Sequence, residues 1–142
     1  MAAVAKNELT ILNNISQIGL VSGLIEQVGN DNHLRKAEIM EMVLAAEEMI
    51  SNTINYGYDD DKAHEISVIV MFKEDVLRIE IRDDAAAFDP LNVPPPEGLE
   101  MPATHRQPGG LGIHLARRLT DRITYQREKN TNLLFLEKKM TK

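Results

Sequence analysis

A chain of 142 residues can form one domain with a sizeable core, and 43% hydrophobic with 27% charged residues is ordinary for a soluble globular protein. The net charge of −6 argues against a DNA or RNA surface, and the absence of cysteine excludes disulfides, thiol nucleophiles and thiolate metal sites. The four histidines lack zinc-ligand spacing. No apolar run approaches the length of a membrane span, so we expect a single cytoplasmic domain over residues 1–142.

The hydrophobic periodicity predicts strands and helices separated by clear turn signals. In chain order these are a strand at 8–12, helices at 15–28 and 34–56, strands at 66–72 and 76–81, a loop at 90–108, a helix from 109–112 to about 119, and strands at 122–127 and 133–138. Such an order predicts an α+β fold, a two-layer α/β sandwich with a mixed, mostly antiparallel sheet and helices on one face.

The helix from Leu34 to Tyr56 has two distinct faces. One broad arc is apolar and is expected to face the core; it contains Ile39, Met42, Val43, Ala46, Ile50 and Ile54. A separate arc of roughly 60° is polar, and it contains Glu41, Glu48, Asn52 and Asn55. Because Glu48 and Asn52 are four residues apart, they project side by side and could hold one ligand together.

The charge balance of this helix favours a bound cation. Between Ala37 and Tyr56 there is no Lys or Arg. Four acids lie in that segment, and two of them stand toward the helix C-terminus, where the macrodipole disfavours anions; they are Glu38, Glu41, Glu47 and Glu48. A carboxylate and an amide are oxygen donors suited to Mg²⁺. The alternative is that the polar arc is only a solvated face, which is the usual role of charge on a helix.

Two further segments suggest ligand contacts. Charge arrives abruptly at the end of a strand in the segment Arg82–Pro90, a common place for binding residues. The following loop, Pro90–Pro108, contains all six prolines, which predicts a long mobile loop of the kind that forms lids. It leads into Gly109–Gly112, where backbone N–H groups at a helix start can receive phosphate, although a hinge or helix cap would need no ligand. The glycines match neither a Walker loop nor a dinucleotide fingerprint.

In this order and spacing, three motifs resemble those of the GHKL (Bergerat) ATPases, and most closely the bacterial anti-sigma-factor serine kinases. Glu48–Asn52 matches the N box of that family, Asp83–Pro90 its first glycine box and Gly109–Gly112 its second. The resemblance covers nearly the whole chain. It implies ATP and Mg²⁺ as cofactors, for phosphoryl transfer that depends on positioning and charge neutralisation.

The resemblance also implies a role for each matching residue. Asn52 would coordinate Mg²⁺, Glu48 would be the general base or would orient the acceptor hydroxyl, and Asp83 would accept a hydrogen bond from the adenine amine. Arg106 would reach the terminal phosphate, unless it is simply a solvated loop arginine. The other residues implied at the nucleotide are Ala87, Phe88, Gly109, Gly110, Leu111, Gly112 and, beside the adenine, Asn132.

The partners implied by the resemblance are a STAS-type anti-anti-sigma protein, a sigma factor and a second copy of the chain. One departure favours an alternative function. The first glycine box of the family reads Asp-x-Gly-x-Gly, whereas Ala85 and Ala87 stand at its glycine positions here. If those positions need φ > 0 or close approach to the purine, each alanine costs about 1 kcal/mol. The alternative is a partner-switching binding module with weak or no ATP binding.

Overall fold

The computed structural model describes residues 5–94 and 110–142, and its elements follow the predicted order. The three helices are α1 (Ile18–Asp31), α2 (Lys36–Tyr56) and α3 (Gly110–Leu119). The five strands are β1 (Ala5–Leu12), β2 (Glu65–Lys73), β3 (Val76–Asp83), β4 (Arg122–Glu128) and β5 (Thr131–Lys139). Two short 3-10 turns that the periodicity did not indicate lie at Ile15–Gln17 and Pro90–Asn92.

The five strands form one sheet in the order β1-β2-β3-β5-β4. The sequence predicted a mixed, mostly antiparallel sheet, and each pairing between these strands is antiparallel. The β2–β3 hairpin turns through Glu74 and Asp75, both with positive φ, at 52° and 66°. Two consecutive positive φ values give the tight two-residue turn whose twist matches that of the flanking strands.

The core lies between the helices and one face of the sheet. The apolar stripe of α2 is buried as predicted, apart from the partly buried Ile54. The sheet contributes side chains at alternating positions, among them Ile66, Val68, Val70, Leu77, Ile79, Ile81 and Leu136. The predicted α+β sandwich is therefore confirmed. No helix in residues 5–94 or 110–142 is both long enough and apolar enough to cross a membrane.

The end of α2 packs closely against the loop at residues 84–89, which follows β3 and is called the β3 loop below. An ideal Cβ on Gly57 would lie 2.6 Å from the Thr53 carbonyl oxygen and 2.8 Å from Ala85 Cβ. The Ala86 amide also donates a hydrogen bond to the Gly57 carbonyl oxygen, at 3.0 Å. A glycine at the C-cap therefore lets the helix end and the β3 loop touch.

Replacing Gly57 should test this close approach. In Gly57→Ala the new methyl group meets a backbone oxygen that cannot rotate away, so we expect a loss of about 1–3 kcal/mol in the free energy of unfolding. Gly23→Ala is the matched control, because Gly23 is exposed within α1 and a Cβ there has nothing within 4 Å. The control should gain about 0.5–1 kcal/mol from helix propensity. Urea denaturation followed by circular dichroism measures both, and equal effects would refute the packing argument.

Candidate active site

A cavity of about 210 Å³ opens between the C-terminal half of α2, the β3 loop and strands β4 and β5. Five of the residues implied at the nucleotide line it, namely Asn52, Asp83, Ala87, Phe88 and Asn132. They come from α2, β3, the β3 loop and β5, so the fold brings together segments that are up to 80 positions apart in the sequence. The cavity is therefore the candidate site.

Asp83 is the buried polar residue at the end of β3, with 7% of its surface exposed. Its Oδ1 accepts hydrogen bonds from the Ala85 amide at 3.0 Å and from Asn132 Nδ2 at 2.9 Å. Burial raises the pKa of Asp83, and these two hydrogen bonds oppose the rise. Its Oδ2 accepts no hydrogen bond from another described residue. One carboxylate oxygen is therefore left to accept a donor from a ligand.

Asn132 lies directly across from Asp83 in the β3–β5 register and is equally buried. Its Nδ2 donates to Asp83 Oδ1 and to the Ala86 carbonyl oxygen at 3.1 Å. Its Oδ1 accepts from the Tyr125 hydroxyl at 2.6 Å and from the Arg127 guanidinium at 2.9 Å. If the amide were flipped, its NH₂ group would face two donors and its oxygen would face two acceptors. These four partners therefore fix its orientation.

The backbone angles of the β3 loop show whether Ala85 and Ala87 occupy positions that would require glycine. The non-glycine residues with positive φ do not include Ala85 or Ala87, so neither carries left-handed strain. The methyl group of Ala85 instead packs against Gly57, where an added Cβ would collide with it. The expected backbone cost of about 1 kcal/mol at each alanine is therefore absent.

Glu48 and Asn52 lie one turn apart on α2, and both are half-buried. Asn52 lines the cavity, whereas Glu48 lies against the first turns of α3. An ideal Cβ on Gly112 would stand 3.1 Å from Glu48 Cδ and would overlap Oε2. The absence of a side chain at Gly112 therefore lets this carboxylate reach the helix N-terminus, where the dipole favours a negative charge.

Three of the four acids of α2 have partners in other elements of the fold. Glu38 accepts from the Thr141 amide at 2.9 Å, Glu41 lies 3.2 Å from Lys138 Nζ, and Glu47 accepts from Ser22 at 3.2 Å. These partners belong to β5, α1 and the C-terminal residues, so a count of Lys and Arg within the helix does not include them. Only the carboxylate of Glu48 lacks a hydrogen bond or ion pair with another described residue. The argument for a cation therefore rests on Glu48 and Asn52.

The residues that line the cavity differ in part from those that the sequence implied at the nucleotide. Gly110 and Leu111 belong to the first turn of α3, and Leu111 does not line the cavity. Arg106, Gly109 and all but the first five residues of the predicted lid lie outside the described residues. Sequence reasoning missed several lining residues, namely Met49, Thr53, Tyr56, Gly57, Tyr125 and Leu134. The alternation of the last hairpin could have indicated Tyr125 and Arg127, since both point to the same face as Asn132.

On the outer side of the β3 loop, His64 lies between two carboxylates. Its Nε2 is 2.8 Å from Asp60 Oδ1, and its Nδ1 is 3.1 Å from Asp84 Oδ2. Both ring nitrogens can donate only when the ring is protonated. Hydrogen bonds with Asp60 and Asp84 accordingly raise the pKa of His64 above its ordinary value. The ring also stacks on Tyr58, with centroids 4.3 Å apart.

Comparison with known proteins agrees with this geometry. The family model described as the histidine kinase-like ATPase domain matches residues 11–138. A serine-protein kinase RsbW of Bacillus cereus is 25% identical over 137 residues, which is 94% of this chain and 85% of the relative. A protein of the same name from Bacillus thuringiensis matches with the same identity and coverage.

A solved structure of the RsbU and RsbW domains of a Mycobacterium tuberculosis protein aligns with 97% of this chain at a TM-score of 0.69. At 13% identity it shows the fold alone, and this chain spans 33% of that longer chain. The match over residues 11–138 shows that this chain belongs to the histidine kinase-like ATPase domain family. The resemblance to GHKL ATPases indicated by the three motifs is confirmed, and the names of the relatives agree with the serine kinase branch.

Asp83→Asn should change which nucleotide binds. The new amide oxygen must accept from Ala85 and Asn132, so its NH₂ faces the cavity, where the adenine amine would also donate. We expect ATP to bind about 10- to 100-fold more weakly. The affinity for inosine triphosphate, which has a carbonyl in place of the amine, should fall by less. Calorimetry with both nucleotides measures the change, and an equal loss for both would argue against Asp83 as the adenine acceptor.

His64 should titrate above the ordinary histidine pKa of about 6.5. Its raised pKa means that its contribution to stability is complete below the ordinary value and is lost as pH rises through the folded value. The difference in unfolding free energy between the wild type and His64→Gln should therefore shrink with rising pH. Imidazole NMR signals give the pKa directly, and Asp60→Asn should lower it. A pKa unchanged in that variant would contradict the assignment.

Proposed function

We propose that this chain is an ATP- and Mg²⁺-dependent protein serine kinase that phosphorylates a STAS-type anti-anti-sigma partner. In the same proposal it binds a sigma factor when that partner is unavailable. The observation that supports this best is that Asp83 and Asn52 line one cavity, while Glu48 lies one helical turn from Asn52, beside the first turns of α3. Family membership supports the nucleotide, and the relatives named serine-protein kinase support the reaction class.

The adenine base fits the cavity chemically. Asp83 Oδ2 is available as the acceptor for the amine, and apolar side chains such as Met49 and Leu134 line the walls. The cavity volume of about 210 Å³ is below the roughly 300–1,000 Å³ of pockets that enclose whole ligands. We therefore expect the base to occupy the cavity, with the ribose and phosphates extending toward α3.

The phosphates would meet the first turn of α3. Amide groups there have no partner within the helix, and the helix dipole favours an anion. Asn52 lines the cavity, and its side-chain amide offers an oxygen of the kind that Mg²⁺ prefers. When bound, Mg²⁺ would neutralise phosphate charge during transfer.

Glu48 would receive the proton of the acceptor serine. As the serine oxygen bonds to the terminal phosphorus and the bond to ADP breaks, the hydroxyl proton passes to the Glu48 carboxylate. Glu48 lies beside the first turns of α3, where the phosphates are expected, and this supports the proposed role. Its carboxylate is not held by another described side chain, so it is available as an acceptor.

The partners are proposed from the same family evidence. A STAS-type protein would supply the serine, a sigma factor would be the protein withheld from transcription, and a second copy of this chain would complete a homodimer. Because these partners act on transcription in bacteria, the proposal places the protein in the cytoplasm. Neither nucleic acid nor a membrane is part of it.

The alternative is a partner-switching module without catalysis, suggested by Ala85 and Ala87. Its backbone argument is weakened, since neither alanine has positive φ. Calorimetry with ATP and Mg²⁺, together with the transfer assay described next, distinguishes the two functions. Heat of binding at millimolar ATP or below supports the kinase, and no heat from a folded sample supports the module.

Substituting Glu48 and its neighbour Gly112 should separate catalysis from binding. In Glu48→Gln, ATP should still bind, while phosphate transfer to the STAS partner falls by roughly 10²- to 10⁴-fold. Gly112→Ala should also slow transfer, because its methyl group displaces the Glu48 carboxylate without changing its charge. Asn52→Ala should weaken Mg-ATP binding itself.

Gly23→Ala, distant from the cavity, is the control for inserting an alanine into a helix. Labelled ATP and the purified partner measure transfer on the same samples used for calorimetry. Transfer at the wild-type rate in Glu48→Gln would remove Glu48 from catalysis even if ATP binds.

A further inference from the structure

Two side chains of β4 hold the β3 loop, although neither belongs to the motifs that suggested a nucleotide. Arg127 donates from NH1 to the Ala85 carbonyl oxygen at 2.8 Å and to Asn132 Oδ1 at 2.9 Å. The Tyr125 hydroxyl accepts from the Phe88 amide at 3.3 Å and donates to Asn132 Oδ1 at 2.6 Å. Arg127 thus contacts the beginning of the loop, and Tyr125 contacts its end.

The donors and acceptors in this network admit one arrangement. The Arg127 guanidinium can only donate, so the Asn132 atom that it contacts is Oδ1, and the Tyr125 hydroxyl donates to the same oxygen. Asn132 Oδ1 therefore receives two donors, which turns Nδ2 toward Asp83 and Ala86. The orientation of one buried amide thus links both contacts of β4 to the carboxylate that faces the cavity.

The guanidinium of Arg127 is itself oriented. Its Nε donates to the Lys129 carbonyl oxygen at 3.1 Å, within the turn between β4 and β5. The β3 loop is consequently bonded to a hairpin whose register is fixed by strand pairing. A loop attached to a paired sheet has fewer conformations to lose when a ligand binds.

We propose that Arg127 and Tyr125 are positioning residues that act through Asn132 to hold the β3 loop in the shape that receives the nucleobase. The inference rests on the proposed function, because it assigns the cavity to the base. It also explains how a loop with alanines at the two glycine positions keeps a defined shape, namely by side-chain hydrogen bonds from a neighbouring hairpin.

Removing one of these contacts should affect binding but leave the transfer step intact. A hydrogen bond of this kind contributes about 1 kcal/mol, so we expect ATP to bind roughly 5- to 10-fold more weakly in Tyr125→Phe and in Arg127→Gln. Transfer at saturating ATP should keep its rate, because Glu48 and Asn52 belong to α2 and do not contact this network.

The experiment measures three quantities in each variant. These are the hydrogen-exchange rate of the Phe88 amide without nucleotide, the dissociation constant of ATP, and the transfer rate at saturating ATP. Tyr125→Phe is the mildest variant, since it removes one oxygen and no charge. Arg122→Gln is the control for Arg127→Gln, because Arg122 lies on the same strand and is exposed on the opposite face.

Faster exchange at Phe88 and weaker ATP binding in both variants, with Arg122→Gln unchanged, would support the inference. Unchanged exchange and affinity in Tyr125→Phe, or equal effects in Arg122→Gln, would overturn it. A fall in transfer rate at saturating ATP would also overturn it, as it would show a wider structural effect. If wild-type protein binds no ATP, the proposed function fails, and so does the role of the network in receiving the base. Phe88 exchange still reports separately whether the network orders the loop.

Discussion

The hydrogen bond between Asp83 and Asn132 is the interaction on which the site depends. Both side chains lie on the inner face of the sheet, which is otherwise apolar over β2 and β3. A buried carboxylate is costly unless its oxygens are satisfied. One oxygen of Asp83 accepts from Asn132 and from the Ala85 amide, the other accepts from no described residue, and the side chain lines the cavity. The fold thus satisfies part of the hydrogen-bonding capacity of this carboxylate and leaves the rest for a ligand.

The same pairing connects one wall of the cavity to the paired strands of the sheet. Besides Asp83, Asn132 contacts two polar side chains of β4, because Tyr125 and Arg127 both donate to its Oδ1. Each of these side chains also contacts the β3 loop. Strand pairing between β3, β5 and β4 fixes the relative positions of all the side chains involved. The shape of an irregular loop is therefore set by the regular part of the structure.

Helix α2 combines packing with function through its two faces. Its apolar stripe lies in the core, and Asn52 and Glu48 emerge at the edge where α2 meets the cavity and α3. Glycines allow both close contacts of this region, Gly57 with the β3 loop and Gly112 with the carboxylate of Glu48. A larger residue at either position would separate elements that the proposed chemistry needs close together.

The sequence predicted those parts of the structure that depend on local periodicity. The stripe of α2, the two hairpins and the spacing of Glu48 and Asn52 follow from residues a few positions apart. The partners of Glu38, Glu41 and Glu47 could not be found in this way, because they come from distant elements. The backbone angles of Ala85 and Ala87 were equally inaccessible, since the family pattern suggested glycine conformations that this loop does not adopt.

The two sides of the β3 loop respond differently to pH. On the inner side, burial raises the pKa of Asp83, so acidification through that pKa would protonate the carboxylate that the proposed function assigns to the adenine amine. On the outer side His64 holds Asp84 and Asp60, and deprotonation leaves the ring with one N–H for two carboxylates. Asp84 is adjacent to Asp83 in the chain. Falling pH therefore acts on the inner contact and rising pH on the outer one, from opposite sides of the same loop.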